Sequence, residues 1–326
     1  TTNAFTGAVT ITTNDNSGTD ADVTIDGGTT ALIIAASTID GDLTVRSGNA
    51  SGITDSGTVT VGGNLAATTD ANNGLINLGT LAVDGTVALT TNGSGNATVV
   101  NDAGLNFAAS TVGGALNATA TTGNMTDSGA LAITGTTILT TSANNATIAL
   151  NTRTNAFTGA VTITTNDDSG ADADVTIDGG TTALILAAST IDGDLTVTSG
   201  NNITDSSTVT VGGNLVATTD AANGSIHMDG LRVDGTVQLT THGSGDATGV
   251  NDAGLNFAAS TVGGNLAATA TTGNMTDSGA LTITGTSSFT TSANNATIAL
   301  DTTTNAFTGA ITLTTNDVGV LTQYNP

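Results

Sequence analysis

Residues 2–15 (TNAFTGAVTITTND) return 152 positions later at 154–167 and, slightly altered, 150 positions further on at 304–317. Long internal copies fold into copies of one supersecondary unit, so the repeat constrains the fold before any single element does. The shorter second interval reflects a two-residue loss: SGNASGITD at 47–55 becomes SGNNITD at 199–205. The chain is therefore read as one continuous unit, 1–326. It holds two long modules, 1–152 and 153–302, the start of a third at 303–317, and a divergent tail at 318–326.

A finer repeat lies inside each module. A glycine recurs at Gly7, Gly41, Gly63, Gly85, Gly114 and Gly135, and in the second module at Gly159, Gly193, Gly213, Gly235, Gly264 and Gly285, then at Gly309. The spacings run from 20 to 34 residues, which is the range of solenoid coils. Two residues before each glycine the side chain is always apolar (Phe5, Ile39, Val61, Val83 and their successors). Positions two and four after it are also mainly apolar, with Thr137 and Ser287 as exceptions. Period two marks a strand with one buried face. Gly, Asn and Asp punctuate the strands, as tight corners require. The pattern predicts an all-β chain, a right-handed parallel β-helix (β-solenoid) of about 13 coils of 20–34 residues. A β-sandwich also offers short strands and regular turns, but needs no single glycine-anchored column.

Composition narrows the function. There are 3 Lys+Arg (Arg46, Arg153 and Arg232) against 27 Asp+Glu, a net charge of -24, and no Cys. Lys and Glu are absent altogether. Thiolate metal sites and cysteine nucleophiles are excluded. Nucleic-acid binding needs a basic footprint that three scattered arginines do not supply. The acidity and the 2% aromatic content would suit disorder, but regularly spaced apolar residues argue for a packed core. No apolar run approaches a membrane-spanning length, and the first residues carry no signal-peptide pattern.

Segments such as ITDSGTVTVGGNLAATTD (53–70), DSGALAITGTTILTT (127–141) and TNAFTGAVTITTN resemble the repeats of filamentous-haemagglutinin-type β-helix proteins, which are large bacterial surface and secreted adhesins. The resemblance covers the chain up to its tail. It implies a right-handed β-helix, an extracellular or cell-surface location, and a role as an extended stalk or fibre.

Chemistry-bearing residues are few. His227 and His242 replace Asn77 and Asn92 of the first module, and no arginine recurs at its equivalent position. No enzyme is expected, because catalysis needs a convergent constellation. The best ion candidate is an Asp-rich loop with Asp15, Asp20, Asp22 and Asp26, copied as Asp167, Asp172, Asp174 and Asp178. Calcium (Ca2+) is the cofactor such oxygen-rich loops would take, although neither an EF-hand nor a glycine-rich calcium repeat is present. The bland alternative is solubilising charge.

Thr stands five residues after twelve of the thirteen anchors, with Arg46 the one break. This rank invites an ice-binding reading, weakened by its mixed neighbour rank (Thr10, Thr44, Ala66, Ala88). The expectation is thus a structural fibre or stalk whose subunits self-associate head to tail. A ligand-binding adhesin for glycans or another cell surface is the alternative, and ice binding ranks lower.

Overall fold

The computed structural model describes residues 3–14, 20–166 and 173–316. They hold 38 strands and no helix. The strands pair in parallel, turn upon turn, into two ladders of 20 and 18 strands. The molecule is a parallel β-solenoid of about 14 turns. No helix among the described residues is long and apolar enough to cross a membrane, which does not bear on strand-built membrane barrels.

The register can be followed along one ladder. Asn106 pairs with Thr126, Thr126 with Ala149, Ala149 with Thr176, Thr176 with Thr196, and Thr196 with Val216. Val216 pairs with Gln238, on the strand whose Thr236 pairs with Asn256. Asn106 and Asn256 are equivalent positions of the two modules, so one module is seven turns. The pair Ala149–Thr176 crosses from the first module to the second without a break. Adjacent strands lie about 4.8 Å apart, so a module rises about 34 Å.

The expected apolar columns are buried. Ile39, Val61, Val83, Val112, Ile133, Phe157, Ile191, Val211, Val233, Val262 and Ile283 are each at most 2% exposed. They stack in register, Ile39 under Val61 under Val83, and Val112 under Ile133 under Phe157. Phe289 packs edge to face against Phe257 at 6.2 Å and against Phe307 at 5.9 Å, a favoured aromatic geometry. The exceptions Thr137 and Ser287 are as buried as the residues they replace. Their hydroxyls have no hydrogen-bond partner there.

The structure alters one part of the sequence picture. The glycine anchors do not form a single column. The Gly63 N–H donates to Gly41 O and the Gly85 N–H to Gly63 O, but the Gly114 N–H donates to Gly95 O. The anchor thus moves to the other ladder between Gly85 and Gly114. The Leu43–Ser47, Leu65–Asn72 and Thr86–Asn92 strands lie in one ladder, and Leu116–Ala120, Thr137–Asn144 and Val161–Asn166 in the other. The irregular spacings of 29 and 34 residues mark these crossings, and they explain why thirteen anchors correspond to about 14 turns. The threonine rank is divided in the same way. Thr68 and Thr90 pair on one ladder, and Thr119, Thr140 and Thr164 on the other.

The coils differ in length because a long strand forks. Thr86–Asn92 meets two short strands on the next turn, Leu105–Phe107 and Ser110–Val112. Conversely, Ile53–Asp55 and Val59–Val61 merge onto Ile76–Val83. A fork adds a corner, and corners consume residues.

Most anchors are glycine because the turns approach too closely for a side chain; Gly7, where a Cβ would meet nothing within 4 Å, is an exception. A Cβ on Gly235 would lie 2.5 Å from Gly213 O and 2.7 Å from Asn214 Oδ1. A Cβ on Gly79 would meet nothing within 4 Å. Gly235→Ala should therefore destabilise by about 1–3 kcal/mol, the usual cost of forced overpacking, while Gly79→Ala should be near neutral. Urea unfolding of the two variants measures the contrast.

Candidate functional site

The polar side chains that could carry function sit at the corners, where the chain leaves one ladder for the other. Each corner exposes backbone N–H groups that no strand can pair, and buried or half-buried donors need acceptors. The sequence supplies short Asp and Asn side chains at these points.

One set follows the anchor glycine. The Asp42 N–H donates to Asp22 Oδ1 (2.8 Å), the Asn64 N–H to Asp42 Oδ1 (2.7 Å), and the Thr86 N–H to Asn64 Oδ1 (2.9 Å). The second module repeats it. The Asp194 N–H donates to Asp174 Oδ1 (2.8 Å), the Asn214 N–H to Asp194 Oδ1 (2.6 Å), and the Thr236 N–H to Asn214 Oδ1 (2.9 Å). Each side chain caps the turn above it, so the corner is a ladder of side-chain acceptors rather than a row of free carboxylates.

A second set lies in the tetrapeptides ITDS and MTDS. Asp55 accepts from the Gly79 N–H (3.1 Å), the Thr80 N–H (2.7 Å) and the Thr80 hydroxyl (2.9 Å). Asp127 accepts from the Asn151 N–H (3.1 Å) and from Asn155 Nδ2 (2.7 Å). Asp205 and Asp277 repeat these roles. Sequence reasoning passed over these four aspartates. The signal available was the tetrapeptide itself, which occurs four times with the same aspartate.

A third set is buried asparagine. Asn101 is 1% exposed; it accepts from the Val83 N–H (2.8 Å) and donates to Val83 O (3.0 Å) and Gly104 O (2.6 Å). Asn251 makes the same bonds to Val233 and Gly254. The amide supplies two N–H donors and one acceptor from one planar group, whereas an ionised Asp only accepts.

The Asp-rich loops are only partly described. Asp15, Asp167 and Asp172 lie outside the described residues. Asp22 and Asp174 are the corner caps above. Asp26 Oδ1 accepts from the Gly28 N–H and Asp178 Oδ1 from the Gly180 N–H, each at 2.8 Å. Gly28 and Gly180 have φ of 59° and 60°, a conformation that favours glycine. Asp20 is exposed. Among the described residues no three or more His, Cys, Asp or Glu side chains come together as a metal site. The arginines and histidines are peripheral: Arg46 pairs with Asp70 at 2.5 Å, and His227 lies 3.4 Å from Asp229, all exposed.

Two carboxyls are shifted upward. Burial raises Asp178 against the opposing Gly180 N–H, with Asp220 and Asp127 adding to the rise and Arg153 reducing it. Burial likewise raises Asp205 against the N–H groups of Gly230 and Asp229, and the Asp229 charge adds to the rise.

This arrangement defines a class: a repeat solenoid whose acidic residues hold its corners. A family model described as repeats of unknown function (DUF5649) matches residues 20–78, 94–164, 172–240 and 244–314. The four matches cover well over half of the chain, which therefore belongs to that family. Their starts lie 72 to 78 residues apart, about half of the long repeat. Neither the curated proteins nor the solved structures gave a match.

Two predictions follow from the corners. A carboxyl whose folded pKa lies above its unfolded value of 3.8 binds more protons folded than unfolded, so it weakens the fold at neutral pH and less as pH falls. Asp178→Asn keeps the acceptor for Gly180 and removes the charge. It should raise the melting temperature at about pH 7, with little effect near pH 4. The calcium expectation for the Asp-rich loops is tested by calorimetry in calcium chloride and in chelator, where coincident curves would overturn it. A calcium-dependent rise in melting temperature would place an ion on the loops at 15–26 and 167–178.

Proposed function

We propose that the chain acts as a structural stalk: an extracellular β-solenoid fibre or adhesin stalk, and a segment or subunit of a longer filament stacked turn on turn. The observation that carries the reading is the unbroken register across the junction of the modules, where Ala149 pairs with Thr176 and Ile148 with Val175. A repeat that continues its own ladder makes length, and length with stiffness is what a stalk provides. The acidic corners repeat along the rod and keep neighbouring rods apart by like charge. The likeness to filamentous-haemagglutinin-type repeats supports a bacterial cell-surface location. Head-to-tail association would pair one copy's terminal strands with another's, a contact that need not close into a ring.

Negative-stain electron microscopy of the purified chain tests this reading. Stiff rods about 65 Å long, or filaments in multiples of that length, are expected from about 14 turns at about 4.8 Å each. Globular or flexible particles would contradict it. Antibody labelling of intact cells, equal to that of permeabilised cells, is the expected sign of surface display.

A further inference from the structure

We infer that copies of this chain join by exchanging a turn: residues 305–316 of one copy take the place of residues 3–14 of the next. This deepens the head-to-tail association in the stalk reading and rests on it. The two segments are nearly the same sequence, NAFTGAVTITTN at 3–14 and NAFTGAITLTTN at 305–316, and differ only by Val9 against Ile311 and Ile11 against Leu313. A further copy at 155–166 lies inside the rod and shows what each face of this turn meets. Below, Val161–Asn166 pairs with Thr137–Asn144. Above, Val161 pairs with Leu186 and Thr164 with Thr190. The Ala187 N–H donates to Val161 O (2.8 Å), and the Ile163 N–H donates to Ser189 Oγ (3.0 Å). Val161 and Ile163 are fully buried between the two.

The other two copies each have one of these faces. Residues 305–316 have the lower one: Ile311–Asn316 pairs with Ser287–Asn294, and Phe307 packs on Phe289. Among the described residues no strand pairs above it. Ile311 and Leu313 are 48% and 60% exposed, and with Phe289, Ile298, Leu300 and Phe307 they line an apolar cavity of about 270 Å³. Residues 3–14 have the upper face. Val9 pairs with Ile34 and Thr12 with Thr38, the Ala35 N–H donates to Val9 O (2.8 Å), and the Ile11 N–H donates to Ser37 Oγ (3.0 Å). These are the bonds of the interior copy, residue for residue, but they are isolated bridges, and Phe5 is only partly buried. If 3–14 is displaced, the next copy offers 305–316 a seat whose donors and acceptors are already in register. The exchange keeps the bonds of the seat and places Ile311 and Leu313 under a Leu32–Ile34 strand, as Val161 and Ile163 lie under Leu184–Leu186. It replaces a turn held on one face by a turn held on both. Apolar burial and the freedom of the released segment favour the joined state. The main-chain ladder and the matching sequence specify the partner as a second copy, a case of recognition by strand addition. The charge of -24 on each copy opposes the approach, so association should strengthen with salt.

Sedimentation velocity and hydrogen exchange of the full chain test the inference. The wild type should form oligomers as concentration and salt rise. In them the amides of 311–316 should slow about tenfold or more, while those of Val9 and Thr13, which donate to Ile33 O and Thr38 O, should speed up by a similar factor on release. Stacking without exchange would leave Val9 and Thr13 protected, and that result would overturn the inference. The chain has no Cys, so Thr12→Cys with Thr38→Cys, at a paired and exposed position, places one disulfide that holds 3–14 on its seat. The oxidised variant should stay monomeric and should associate once reduced. Association of the oxidised form equal to the wild type would overturn the inference. Should that pair fail to fold, Leu313→Asp reads the same junction at an exposed position: it should abolish association, and association retained there would overturn the inference. A wild type that stays monomeric at every soluble concentration would also overturn it. Monomeric rods of the expected length would leave the stalk reading in place, whereas globular particles would end both.

Discussion

Everything in this molecule depends on the parallel hydrogen-bond ladder between successive turns. Each turn must offer its N–H and C=O groups to the turn above and the turn below, at a spacing near 4.8 Å. That demand excludes proline from the strands, and the single Pro is the last residue. It also stacks side chains directly on their equivalents, so a column must be uniformly apolar or uniformly able to hydrogen-bond. The core columns take the first course and the corners the second. Stability then accumulates turn by turn, without cysteine.

The corners are where the ladder would fail. A chain that changes direction leaves donors unpaired, and the protein answers with short acceptor side chains from the turn below. Asp22, Asp42 and Asn64 form one such series, and Asp55 and Asp127 serve others. Acidity here is therefore largely architectural. Asn96 and its equivalent Asp246 serve alike where an acceptor alone suffices, and Asn stands where a donor is needed as well, as at Asn101 and Asn155. Anchor glycines such as Gly41, Gly63, Gly213 and Gly264 belong to the same device, because the capping oxygen of the lower turn occupies the space a Cβ would need.

The sequence made the fold class, the buried columns and the two-module division legible, because period two and a recurring glycine are local signals that survive copying. The change of ladder between Gly85 and Gly114 was not legible. The apolar pattern around both glycines is the same, and only the spacing of 29 residues hints that the chain has gone more than once around. Asp55, Asp127, Asp205 and Asp277 were hidden for a related reason. Their partners lie 24 to 28 residues away, and a separation of one turn reads as no relation at all in a linear scan.

The central claim is that the two modules form one continuous ladder rather than two folded units joined end to end. Native-state hydrogen exchange tests it most directly at the junction, where Ile148–Leu150 pairs with Val175–Asp178. The account predicts that these amides are protected as strongly as those of Val59–Val61 and Val209–Val211 inside each module. Fast exchange confined to 148–150 and 175–178 would contradict it.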